Sequence, residues 1–270
     1  MAGLYNRSGN GDWVKVIKRY LGGFEEVEIL PLADLHLGDI HSDGLKIREW
    51  LSYIRDRENC FCILNGDLMN TAIKSSISDT YLESLTPMEQ LQQCVKLFEP
   101  IKEKVLLVTA GNHERRIARE TSIDTTLLMA EQLGLGELYA PESALLFVQF
   151  GKQNAHNNNQ PVLYSIYCVH GSGGGRKEGG KVNRLADLAE IIDADIFVHS
   201  HSHLPVVMKN GYYRVNTRHC TVSKVDRLFV NTSSSLEWGG YGEIASFKPN
   251  SLETPLIILN GTKKSMKAVL

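Results

Sequence analysis

The sequence predicts an α/β fold in which two sheets pack face to face with helices outside. Three observations lead there. Strand-like and helix-like segments alternate through the first half, the pattern of parallel βαβ units with ligands at the strands' carboxyl ends. The second half is richer in strand. Five short runs, Asp34-Leu35-His36, Gly66-Asp67, Gly111-Asn112-His113-Glu114, His170-Gly171 and His201-Ser202-His203, each end an apolar stretch with side chains of metal-ligand type.

In chain order, DWVKVIKRYL (12–21) carries Trp13, Ile17, Tyr20 and Leu21 at helical spacing, which predicts a short amphipathic helix stopped by Gly22-Gly23. Residues 1–23 are accordingly taken as an N-terminal extension and 24–270 as one domain. VEILPLAD is a strand, 45–57 a helix, and CFCILNGD a second strand followed by a polar loop. Pro87 suits the start of a helix running to about Lys104. VLLVTAGNH is a third strand, and 123–133 the next helix, stopped by Gly134. SALLFVQFG, VLYSIYCVH, DIFVH, PVVMKNGYYRV and RLFVNTS read as strands, with one helix over 184–192. Asn210-Gly211 predicts a hairpin turn between PVVMK and YYRV. QNAHNNNQ, with His156, is a surface loop.

Composition narrows the class. A hydrophobic fraction of 43% and a charged fraction of 22% are those of an ordinary folded domain. A net charge of −2 gives the whole molecule no nucleic-acid signature, so attraction to a polyanion must come from a local patch or a bound metal. No apolar run reaches the ~18 residues of a membrane span, and the N-terminus has no secretory pattern. Five cysteines (Cys60, Cys62, Cys94, Cys168, Cys220) without zinc-ribbon spacing read as buried reduced thiols in a cytoplasmic protein.

Asp, Asn and His placed repeatedly at strand ends suit a two-metal site that holds an activated water against a phosphate. In Asp34-Leu35-His36, strand alternation would put both side chains on one side of the backbone. Asp67 is the natural bridging carboxylate, and Asn112 adds a neutral oxygen that keeps the site open to a phosphate dianion. His170, His201 and His203 complete the set. Any one of these histidines alone reads as a core or surface residue, but together they do not.

The series D-x-H, G-D, G-N-H-E, H-G, H-x-H resembles the calcineurin-like metallophosphoesterase superfamily in order and approximate spacing. The resemblance implies a four-layer α/β/β/α sandwich of two mixed sheets. It also implies two divalent metals, one on Asp34, His36, Asp67 and His203, the other on Asp67, Asn112, His170 and His201. His113 matches the family's non-ligand catalytic histidine. Ser200 stands where the family commonly has Gly. His199 could therefore open the last motif one step earlier, but Leu204-Pro205 favours His201 and His203, leaving His199 behind the ligands or in the core.

Manganese is the expected metal, with iron, zinc or nickel as alternatives. Glu114 is placed to orient an imidazole or, alternatively, is a surface residue at a helix start. Arg115, Arg116, Arg176 and Lys177 are candidates for holding substrate phosphate, against a reading as solvated helix-face charges. The 175–181 run imitates a P-loop, but Val182 stands where Ser or Thr must bind magnesium, so it reads as a mobile glycine-rich loop. The G-N-H-E form resembles diesterases, pointing to a phosphodiesterase or nuclease acting on DNA or nucleotides. A phosphomonoesterase is the alternative, and a scaffold without catalysis is disfavoured because every ligand position is filled.

Overall fold

The computed structural model describes residues 14–76, 80–151, 161–173 and 175–270. Its strands are β1 (Lys15–Tyr20), β2 (Glu26–Leu32), β3 (Cys60–Asn65), β4 (Val105–Thr109), β5 (Tyr139–Ala140), β6 (Ser143–Phe150), β7 (Val162–Val169), β8 (Ile196–His199), β9 (Val206–Asn216), β10 (Thr221–Asn231), β11 (Leu256–Asn260) and β12 (Met266–Val269). The helices are α1 (Gly44–Asp56), α2 (Pro87–Phe98), α3 (Asn112–Thr121), α4 (Thr125–Gln132), α5 (Glu178–Ile191) and the single turn α6 (Gly240–Ile244).

Two mixed six-stranded sheets result, ordered β1-β6-β7-β8-β10-β9 and β12-β11-β2-β3-β4-β5. Alternation along each strand builds three apolar layers. Leu64 faces α1, α2 and α4 with Ile47, Trp50, Cys94 and Met129. Its neighbour Ile63 faces the opposite sheet, among Leu146, Ile166, Val198 and Val230. Phe197 and Phe229 stack against Leu185 and Leu188 of α5 on the far side. The order is α/β/β/α, as the sequence predicts.

Local chemistry explains most boundaries. Asp43 caps α1 by accepting from Leu45 N (2.8 Å) and Lys46 N (3.0 Å). α2 opens on a capping box between Thr86 and Glu89, with Pro87 in the first turn where no donor is needed. It ends at Phe98, where Pro100 cannot extend the helical hydrogen bonds, and a 3-10 segment carries the chain to Lys104. Four cysteines are buried and free, as expected, but Cys220 is exposed. Among the described residues no helix is long and apolar enough to cross a membrane.

Four expectations are corrected. Residues 15–20 form a strand, not a helix: β1 runs parallel to β6, pairing Ile17 with Leu146. Buried Ile17 and Leu21 lie four apart, a spacing that an even period satisfies as well as a helical one. This segment is therefore part of the sheet rather than an extension; Trp13 lies outside the described residues, as does His156. The chain does not turn at Asn210-Gly211, because β9 continues through both residues, paired with Arg227 and Asp226, and turns at 217–220 instead. A side chain at Gly211 would meet only the movable end of Lys224. Much of the supposed glycine-rich loop is helical, since α5 starts at Glu178. Finally, α3 begins at Asn112 itself, between the third strand and the helix over 123–133, where only the alternative reading of Glu114 put a helix start.

The edge position of β1 makes a direct prediction. Ile17→Ala should lower unfolding free energy by about 3 kcal/mol, while Val16→Ala, at an exposed position, should stay within about 0.5 kcal/mol. Urea titrations of the two variants measure the difference; equal effects would contradict the strand assignment.

Candidate metal centre

The carboxyl ends of β2, β3 and β4 in one sheet and β7 and β8 in the other open on the same edge of the sandwich. Each of the five motifs leaves one of these ends. The backbone does not leave as an extended strand. Asp34, His36, Asp67, His201 and His203 all have left-handed φ, between 47° and 65°. Such conformations cost an L-residue of order 1 kcal/mol or more each and gather at functional sites. The side chains of Asp34 and His36 thus converge through a turn, not through strand alternation as expected.

Two glycines allow the loops to touch. A Cβ at Gly66 would lie 2.5 Å from Gly111 N, and one at Gly111 would lie 2.2 Å from Asp67 N. Hydrogen bonds hold the turns in place: Asp34 N donates to Gly66 O (3.0 Å) and His36 N to Asp67 O (3.1 Å).

The donors form three overlapping groups, each with ligand atoms within 4.8 Å of one another: Asp34, His36 and His203; Asp67, His170 and His201; and His36, Asp67 and His113. Asn112 joins the second, its Oδ1 3.2 Å from His170 Nε2. Three imidazoles are anchored at Nδ1: His36 on Asn70 Oδ1 (3.1 Å), His113 on Asn70 O (2.9 Å) and His170 on Asn65 O (2.8 Å). Carbonyl oxygens can only accept, so Nδ1 carries the proton in His113 and His170. The Asn70 amide nitrogen faces Asp39 and Glu83, which turns its oxygen to His36 and fixes that ring likewise. Nε2 of each ring is thereby directed inward.

Asp34 supplies the test of whether these residues suit a cation. Its Oδ2 accepts from His201 N (3.0 Å), but its Oδ1 is buried with no hydrogen-bond partner among the described residues. Around it stand Nε2 of His203 (3.2 Å), His36 (3.9 Å) and His170 (3.9 Å). A buried carboxylate oxygen without a donor is costly; a mixed oxygen–nitrogen cage around it fits a borderline divalent ion.

Electrostatics in the centre are governed by burial and by these carboxylates. Burial pulls His36 well below the usual histidine range, and His113 adds to it. Burial likewise lowers His201 to about 4, with His170 second. In His170 burial is outweighed by Asp67 and Asp34, and the group rises to about 9. Burial alone would raise Asp67, yet His170 and His113 hold it well below the usual carboxylate range.

The remaining predicted residues separate. His199 belongs to none of the three groups; its Nδ1 meets Asn231 Oδ1 at 2.7 Å and its ring lies against Gly171. Glu114 is neither a surface residue nor a partner of any imidazole. It is buried and accepts three backbone N–H bonds, from Met69 (2.9 Å), Asp67 (3.1 Å) and Gly111 (2.9 Å), stitching two motif loops together. Burial, then Asp67, raises its pKa to about 7.

Arg115 is tied to the carbonyls of Pro141 (2.9 Å) and Ala110 (3.1 Å), so it is not free to hold substrate. Arg116 is half-buried, feels the charges of Asp67, Glu114 and Glu83, and has Nη1 buried without a partner among the described residues. Arg176 and Lys177 are exposed just ahead of α5. Lys181, from the P-loop-like run, donates to Ser202 O (2.7 Å) and steadies the last motif.

Sequence reasoning missed the residues that hold the motifs. Ser234 Oγ donates to Asp34 O and Ser235 Oγ to Leu35 O, both at 2.8 Å, and Ser42 Oγ reaches Leu35 O at 2.7 Å. Asn65 joins Val169 O (3.0 Å) and Ser200 Oγ (2.7 Å), linking the two sheets beneath the centre. The one available signal was the unbroken polar run 232–235 directly after an apolar strand.

The calcineurin-like phosphoesterase family model matches residues 35–228, and the chain belongs to that family. Membership supports metal-dependent hydrolysis of phosphate esters. Among solved structures the chain is similar to a predicted phosphoesterase of Streptococcus pneumoniae (14% identity, TM-score 0.39, 91% of this chain and 90% of that one). It is also similar to Vacuolar Protein Sorting 29 of Cryptosporidium parvum (14%, 0.46, 91% and 98%) and to GAP50 of Plasmodium (11%, 0.43, 91% and 85%). No curated protein matches the sequence.

The role of Glu114 is testable on the protein stripped of metal. Glu114→Gln replaces one acceptor oxygen by a donor facing backbone N–H groups and should cost about 2 kcal/mol of stability. Chemical denaturation in chelator reads this, and an unchanged midpoint would show that the three amides have other acceptors.

Proposed function

We propose that the chain is a phosphodiesterase acting on nucleic acid or nucleotides, with two divalent metals, manganese foremost, as cofactors. Asp34, His36, Asp67 and His203 would hold one, and Asp67, Asn112, His170 and His201 the other, which agrees with the grouping of their donor atoms. When bound, the metals supply Lewis acidity, generating hydroxide from water near neutral pH and offsetting phosphate charge.

His113 serves the leaving group. Its Nδ1 is fixed on Asn70 O (2.9 Å) and its ring packs edge-on to His36 with centroids 4.4 Å apart, so the proton available for transfer sits on Nε2. Burial lowers its pKa and Asp67 partly restores it; the protonated ring is thus an acid strong enough to protonate a departing alkoxide. Arg116, half-desolvated with one Nη lacking a partner, is the basic side chain best suited to a phosphate oxygen. Arg115 is withdrawn from that role by its backbone carbonyl bonds. The anchored, inward-directed imidazoles around Asp67 are the observation that carries this reading.

With manganese added, hydrolysis of bis-p-nitrophenyl phosphate should exceed that of p-nitrophenyl phosphate; the opposite order would replace the diesterase reading with a phosphomonoesterase. His113→Ala should keep its metal content by elemental analysis while kcat falls at least about 100-fold. Full turnover in that variant would remove His113 from the chemistry.

A further inference from the structure

Strand β8 is four residues long and, of β10, pairs with Leu228–Asn231 alone. The rest of β10, from Thr221 to Arg227, therefore pairs only with β9, and β9 is the last strand of its sheet. The result is a two-stranded ribbon that outruns β8 and is tied to the body along one side, through Asp193, Asp195 and the Met266 carbonyl. A two-stranded ribbon is marginal by itself, and these contacts supply what it lacks. Its composition is unlike the rest of the chain. Between Val206 and Asn231 stand five cationic residues, Lys209, Arg214, Arg218, Lys224 and Arg227, against the single acid Asp226, in a protein of net charge −2.

Some of these cations are used internally. Arg214 and Arg227 both bind Asp193 Oδ1 at 2.7 Å, and Arg227 lies over the Tyr212 ring at 3.5 Å. Lys209 pairs with Asp226 at 3.0 Å. Arg218 and Lys224 are exposed and have no carboxylate partner among the described residues. Lys224 is opposite Tyr213 and Val222 opposite Val215, so these four side chains share one face. Tyr213 is 70% exposed, Val215 64% and Val222 63%.

We propose that the β9–β10 ribbon is a docking surface for duplex DNA, with Arg218 and Lys224 on backbone phosphates and Tyr213 against the sugar–phosphate chain. The physical case is charge complementarity. The body of the protein is acidic and repels a polyanion, whereas the ribbon is cationic, carries an exposed aromatic ring, and has the width that a B-DNA major groove of about 12 Å admits. The ribbon points away from the metal centre: ten residues separate Asn231, beside His199, from Thr221, about 33 Å at strand rise. That is about ten base pairs of duplex, so the ribbon anchors substrate at a distance and leaves the centre free to act on another part of it.

This inference names the substrate of the proposed phosphodiesterase, but its test needs no turnover. Binding of a labelled 30-base-pair duplex to the full chain is followed by fluorescence anisotropy in chelator, over a series of salt concentrations. The wild type should bind with a steep salt dependence. Arg218→Glu with Lys224→Glu should lose at least tenfold in affinity and flatten the log–log salt slope by about two, and the corresponding Gln pair should fall between. Lys18→Glu with Lys96→Glu makes the same charge change on β1 and α2 and should cost far less. All variants should hydrolyse bis-p-nitrophenyl phosphate like the wild type, which separates failure of docking from failure of the catalytic reading. No duplex binding by the wild type, equal loss in both charge-reversal pairs, or a preference for single strands would overturn the proposal.

Discussion

A buried carboxylate oxygen, Oδ1 of Asp34, whose near neighbours among the described residues include three imidazole nitrogens, sets the terms for everything around it. Desolvation alone would drive that carboxyl to its neutral form, yet the imidazoles of His203 and His170 keep it ionised. The folded chain thus maintains a concentrated negative charge walled by nitrogen atoms at 3.2 to 3.9 Å. Hydrophobic packing could not accept such a cluster. It persists because the two sheets and their helices, with three apolar layers, supply the stability that the polar edge lacks.

Holding that charge also requires backbone that a chain does not adopt freely. Five donor residues sit in left-handed turns, and each turn is over-determined by neighbours. Ser234, Ser235 and Ser42 grip the carbonyls around Asp34, Glu114 gathers the amides of Asp67, Met69 and Gly111, and Lys181 holds the carbonyl at Ser202. None of these residues needs to touch a metal or a substrate for the centre to depend on it. The two roles proposed for the motif residues, metal donor and acid, would rest on this second set of polar contacts.

What could be read from the sequence follows from how local each determinant is. The strands around Asp34, Asp67 and Asn112 were legible because apolar runs ending in Ala-Asp, Gly-Asp or Gly-Asn are local signals, and two sheets with helices outside followed from their alternation with helices together with the strand-rich second half. Ile17 and Leu21 misled because a spacing of four serves both periods, and the choice was made by β6, well over a hundred residues away. Asn210-Gly211 carried a turn signal that the long pairing with β10 overrode. Glu114 does stand at a helix start, as one of its readings had it, but it is buried rather than exposed, because two of its three backbone donors, Asp67 and Met69, lie more than forty residues away. The serines of 232–235 have no chemistry of their own to advertise; they matter only where the fold brings them.

The pairing of β11 with β2 joins residues 257–260 to 26–29, and the serine contacts at Asp34 span 200 positions. Closing loops of that length is entropically costly and makes for slow folding. During synthesis the first donor turn therefore emerges long before the residues that hold it. The centre cannot assemble until the chain has passed residue 235, so a polypeptide stalled earlier would expose its strands without a cage for any cation.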